Sequence, residues 1–123
     1  MESYEQQIKS KVLKVNSLQT WDSYLNQTHP EGQVIVHFTA SWCMPSVVMS
    51  PFFEELALTY PDAIFLVVDV DEVKEVAAKL EVKAMPTFVL IKDGNPADKI
   101  VGANPDEIRK RVDGFIRSCS SPF

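Results

Sequence analysis

A chain of 123 residues, 46% hydrophobic and 24% charged, has the make-up of a single folded domain and of neither a disordered nor a membrane-embedded protein. Its formal net charge of −5 with scattered basic residues speaks against nucleic acid as a partner, and no apolar run is long enough to span a bilayer. Two cysteines and two histidines, with no ligand spacing among them, predict neither a disulfide framework nor a metal site.

Residues 1–10 read as a polar extension without the basic-then-apolar grading of a secretory signal, so the expected location is the cytoplasm. Residues 11–118 are the expected domain and 119–123 a short tail. Lys11 to Val15 alternates as a short edge strand should. Ser17 then caps a helix with Leu18, Trp21 and Leu25 on one face, and His29-Pro30-Glu31-Gly32 closes it. Val34, Ile35, Val36 and Phe38 belong to a nearly continuous apolar run ending at Ala40, the mark of a strand buried on both faces.

That strand delivers Cys43 to the start of a helix in which Val47, Val48, Phe52, Phe53, Leu56 and Tyr60 recur at helical spacing. Pro51 predicts a kink in it. Ala63 to Val70 is a second buried strand, Glu72 to Leu80 a short helix, and Thr87 to Lys92 a strand preceded by Pro86. Asp93-Gly94-Asn95-Pro96 predicts a turn, and Lys99 to Val101 its hairpin partner. Asn104 caps the last helix, with Pro105 at its first position and Ile108, Val112, Phe115 and Ile116 on its inner face. The order β-α-β-α-β-α-β-β-α places the chain in the α/β class, with a mixed sheet covered on both sides.

The segment Trp42-Cys43-Met44-Pro45-Ser46 carries the chemistry. A cysteine at a strand-to-helix junction is aimed at solvent, and unsatisfied helix N–H groups near its sulfur favour the thiolate. Ser46 can hydrogen-bond that thiolate or cap the helix, but it cannot form a disulfide with it. The segment is equipped to attack a disulfide and unequipped to complete its reduction alone. Asp69 and Asp71 resemble a metal pair only superficially, and helix capping and solvent exposure suit them better.

With these motifs in order, the chain resembles the thioredoxin family and, within it, the plant cytosolic h-type members. The likeness rests on Val36 to Cys43 leading into the helix, on Pro51, on Val68-Asp69-Val70-Asp71, on Met85-Pro86-Thr87-Phe88 and on Val101-Gly102-Ala103. It implies the thioredoxin fold, a central five-stranded mixed sheet flanked by four helices, and a cis peptide before Pro86 facing the nucleophile. It also implies that Trp42, Met44, Pro45, Met85, Pro86 and Gly102 line a shallow groove for an extended substrate segment.

Three departures are coupled. Ser46 stands where the family has its resolving cysteine, Met44 where it usually has glycine, and His37 where it has a buried aspartate credited with moving the resolving cysteine's proton. A histidine there could stabilise a thiolate if charged, whereas a neutral one gives little; a satisfied core histidine is the plainer reading. A cysteine-to-serine replacement in an ordinary thioredoxin would explain Ser46 but neither Met44 nor His37. The pattern is similar to the monocysteinic, CxxS-type thioredoxin-like proteins.

Thiolate attack by Cys43 would yield a mixed disulfide, released by an external thiol: a second cysteine of the substrate, or glutathione. The first route predicts disulfide-isomerase-like activity with weak or no net reductase activity. Two alternatives stand beside it: a glutathione-dependent monothiol oxidoreductase, for which no basic cluster lies near Cys43, and a non-catalytic binding module using the same groove. No resident cofactor is expected beyond glutathione as external thiol. The partners expected are protein disulfides or thiols, and the expected state is a monomer or weak dimer. Cys119 is too remote in the resembling fold to resolve Cys43 within one chain.

Overall fold

The apolar run that reads as buried on both faces lies at the centre of the sheet. A computed structural model describes residues 11–26 and 32–119; the N-terminal extension, the helix-closing His29-Pro30-Glu31 and the tail from residue 120 lie outside the described residues. Five strands, β1 (Val12–Val15), β2 (Gln33–Thr39), β3 (Ile64–Asp69), β4 (Thr87–Lys92) and β5 (Asn95–Val101), form one sheet in the order β1-β3-β2-β4-β5. β1 and β2 run parallel to β3, whereas β4 is antiparallel to β2 and β5 to β4.

The helices are α1 (Leu18–Asn26), α2 (Met44–Val47), α3 (Ser50–Thr59), α4 (Lys74–Lys79) and α5 (Pro105–Cys119). α2 and α3 are the two parts of one interrupted helix, which leaves four helices among the described residues. Two of the starts read from sequence are built as expected. Ser17 Oγ accepts the Thr20 N–H at 3.0 Å, and Asn104 Oδ1 accepts the Glu107 N–H at 3.1 Å. No helix among the described residues is long and apolar enough to cross a membrane.

β2 explains its own composition. Val34, Val36 and Phe38 enter one core layer with Trp21, Leu66 and Val89, while Ile35 enters the other with Phe53, Phe65 and Phe88. Because successive side chains alternate between two covered faces, a strand in this place needs apolar residues at nearly every position.

Two local expectations are corrected. The helix interruption falls at Val48 and Met49 rather than at Pro51, and Pro51 sits in the first turn of α3. A proline there needs no N–H partner, so the disruption is displaced to the residues before it. Met49 N–H reaches only to the Ser46 carbonyl, at 3.1 Å, in a tighter turn than the α-helix makes. The hairpin, in turn, is shorter at its tip than Asp93-Gly94-Asn95-Pro96 implies. Asp93 and Gly94, with φ of 56° and 80°, make the whole turn, and Lys92 already pairs with Asn95. Asn95 and Pro96 belong to β5, which tolerates a proline because it is the sheet's outer strand.

Candidate active site

β2 ends at Thr39, and the Cys43 N–H turns back to the Ala40 carbonyl at 3.0 Å, setting Cys43 at the N-cap of α2. The Cys43 carbonyl accepts the N–H groups of Ser46 and Val47, both at 3.0 Å. Its side chain is partly exposed and free, and Sγ donates to the Met85 carbonyl at 3.3 Å. The Met85–Pro86 peptide is cis, and the Pro86 carbonyl accepts the Gly102 N–H at 2.9 Å. The loop before β4 thus meets the sulfur at the β2–α2 junction and is itself tied to the residue after β5.

Gly102 adopts φ of 118°, a conformation closed to most L-residues, and a Cβ built there would touch nothing within 4 Å. Backbone shape, not crowding, requires glycine at this rim. Trp42 and Met44 are 64% and 63% exposed, and Pro45 and Val48 are exposed beside them. This apolar rim stands open around the thiol.

The environment of the sulfur differs from the sequence expectation. α2 is a single turn of four residues, too short to present a helix terminus of any strength, and the sulfur's partner is a carbonyl. Ser46 neither caps the helix nor bonds to Cys43. It is fully buried, donates from Oγ to Thr39 Oγ1 at 2.6 Å and meets His37 Nε2 at 3.3 Å.

His37 is 1% exposed, stacked on Phe88 with ring centroids 4.6 Å apart and flanked by Phe53 at 5.3 Å. Burial pushes its pKa down to about 4, so the imidazole is neutral at physiological pH and adds no positive field under the thiol. The plain core reading fits this residue.

Asp71 joins the site unannounced by the sequence reading. Its Oδ2 accepts the Trp42 indole N–H at 2.7 Å, tethering the exposed ring to the segment that follows β3. Asp69 serves as a cap: Oδ1 accepts the N–H groups of Asp71 and Glu72 at 2.8 and 3.3 Å. The only hint in the sequence was two acids at a strand end, which says nothing of an indole partner. No cluster of potential metal ligands occurs among the described residues.

A family model described as thioredoxin matches residues 11–114. The chain belongs to the thioredoxin family. Proteins of this family act on protein disulfides or thiols. A thioredoxin-like protein CXXS1 of Arabidopsis thaliana is 61% identical over 110 residues, covering 89% of this chain and 93% of that protein. A rice protein of the same description is 56% identical over 110 residues, covering 89% and 83%. Among solved structures, thioredoxin NaTrxh of Nicotiana alata superposes with a TM-score of 0.82 at 34% identity, covering 87% of this chain and 94% of that one. A poplar thioredoxin h mutant gives 0.84 at 37%, covering 92% and 87%. The thioredoxin fold and a redox role within the family are therefore secure, with CXXS1 proteins and plant h-type thioredoxins as relatives.

Proposed function

We propose that this thioredoxin-family protein performs monothiol exchange through Cys43, with disulfide-isomerase-like activity and weak or no net reductase activity. The observation that carries the reading is Ser46: the position three residues after the nucleophile holds a buried hydroxyl bonded to Thr39 and His37, and no sulfur. Attack by the Cys43 thiolate breaks a substrate S–S bond, forms a Cys43 mixed disulfide and leaves the other substrate sulfur as a thiolate. If a substrate thiolate then attacks its own sulfur in that adduct, a new substrate disulfide forms and Cys43 leaves as thiolate. No electrons are consumed. If glutathione thiolate attacks the Cys43 sulfur instead, the substrate leaves as a thiolate and Cys43 becomes glutathionylated; a second glutathione then frees Cys43 as oxidised glutathione forms, so two glutathiones supply the two electrons.

The groove of Trp42, Met44, Pro45, Met85, Pro86 and Gly102 would receive the substrate segment, and the apolar rim favours an uncharged one. A compartment that keeps thiols reduced, such as the cytoplasm, suits a free exchange-active cysteine. No membrane or nucleic-acid partner is included in this reading.

The test is reactivation of a scrambled disulfide protein, run beside a turbidity assay of net disulfide reduction. Rearrangement well above a Cys43→Ala control with little turbidity supports the proposal. Reactivation equal to the control removes it. Retained binding of partner proteins by a Cys43→Ser variant, with no reactivation by the wild type, would assign the exposed rim a docking role instead.

A further inference from the structure

One polar atom in the described core has no partner. His37 Nδ1 is buried, and no described residue bonds to it. The same imidazole forms one wall of a cavity of about 60 Å³, whose other lining residues are Val12, Ser50, Phe53, Glu54 and Val67. A buried ring nitrogen left dry forfeits the hydrogen bond it makes to water in the unfolded chain, so the fold favours a donor there.

The proton count around Ser46 fixes what Nδ1 requires. The single hydroxyl proton of Ser46 is directed to Thr39 Oγ1, so Ser46 Oγ meets His37 Nε2 as an acceptor. Nε2 therefore carries the ring proton. A neutral imidazole with its proton on Nε2 presents a bare lone pair at Nδ1, which calls for a donor. The one ionisable residue lining the cavity besides His37 is Glu54, exposed at its mouth, whose carboxylate is an acceptor. Two acceptors facing a shared space are joined by a molecule that donates twice, and a hydroxyl such as that of Ser50 can complete its coordination by donating to it. Water meets that description, with the usual complement of about three hydrogen bonds, and the volume is ample for one.

We propose that water occupies this partly open cavity, bridges His37 Nδ1 to Glu54 and thereby sets the His37 tautomer. The consequence reaches the underside of the active-site turn. With water present, Nε2–H donates to Ser46, and the Ser46 hydroxyl is held toward Thr39. Without it, the ring proton is free to move to Nδ1, Nε2 becomes an acceptor, and the Ser46 hydroxyl can turn toward it. His37 is thus a positioning residue for Ser46, governed from the opposite side of the ring.

Nuclear magnetic resonance on the full ¹⁵N-labelled chain tests this. Two-bond imidazole correlations should show Nε2 protonated and Nδ1 unprotonated, and the His37 ring protons should give a cross-peak to long-lived water. Val67→Leu, which fills the cavity from β3, should abolish the water cross-peak and move the Nδ1 resonance upfield as the ring proton gains access to it; Val67→Ile is the second filler should the first not fold. Glu54→Gln, which keeps an acceptor oxygen, should retain the water, and Glu54→Leu should lose it. A proton on Nδ1 in the wild type, no water cross-peak, or an Nδ1 resonance unmoved by either filler would overturn the proposal, as would direct donation from a protonated Glu54.

Discussion

Replacing Ser46 by cysteine places a thiol three residues after Cys43 and should accelerate release of a mixed disulfide by about 100-fold or more, because oriented groups act at effective molarities far above cellular thiol levels. The readout is the lifetime of a Cys43–substrate adduct, trapped by acid and followed by mass. A lifetime unchanged in Ser46→Cys would show that the buried hydroxyl position cannot reach the adduct. His37 supports a second expectation. A histidine that titrates near 6.5 unfolded and at about 4 folded binds its proton more readily in the unfolded chain, so folding stability falls as pH drops between those values. The full loss amounts to roughly 3 kcal/mol. His37→Phe, which keeps an aromatic ring against Phe88, should flatten that slope in urea unfolding between pH 7 and 4.5. Asp98, whose carboxyl Arg111 holds low, contributes below that window, since its stabilisation is present above about 3.8 and is lost on further acidification.

At the level of elements, the hairpin tip offers the cleanest measurement. Gly94 has φ of 80° with nothing near its missing Cβ, so Gly94→Ala tests backbone strain alone and should cost about 1 kcal/mol in chemical unfolding. Asp93, at φ of 56°, should gain a few tenths of a kcal/mol as Asp93→Asn or Gly. The same tip shows what sequence reading could and could not supply. Four turn-forming residues in a row mark a reversal without saying which two make it, and the decision comes from β4–β5 register, a tertiary fact. The interrupted helix gives the same lesson. Pro51 announces a break, yet the break is expressed at Val48 and Met49, between the proline and the Val47 carbonyl that its missing N–H would have reached. Strands β2, β3 and β4 were legible because burial on both faces leaves a composition that little else produces. The Trp42–Asp71 bond and the orientation of Ser46 were not, since each depends on partners that only folding brings near.

Across the whole molecule, protection should follow position in the sheet. β2 has a neighbour on both sides and lies between two core layers, so the amides of Val36 and Phe38 should exchange with solvent only on global unfolding. Those of β5, and of the four-residue β1, should open at lower free energy. Native-state hydrogen exchange checks this order, and equal protection across all five strands would contradict it. The active-site turn is fastened to the protected strand by Ala40, Thr39 and His37, so the sulfur sits on the rigid side of the molecule while its exposed rim remains free to adapt.

The outer margin of β5 has a consequence for how the protein meets others. Pro96 lacks the N–H that an incoming strand would use, Asp98 and Lys99 add charge, and the register shifts between Leu90 and Ile91 on the neighbouring strand. These devices discourage strand addition along that flank, a common route to fibrillar self-assembly. Under the monothiol exchange proposed for Cys43, an unreceptive sheet margin would keep a long-lived covalent complex from seeding polymers while it waits.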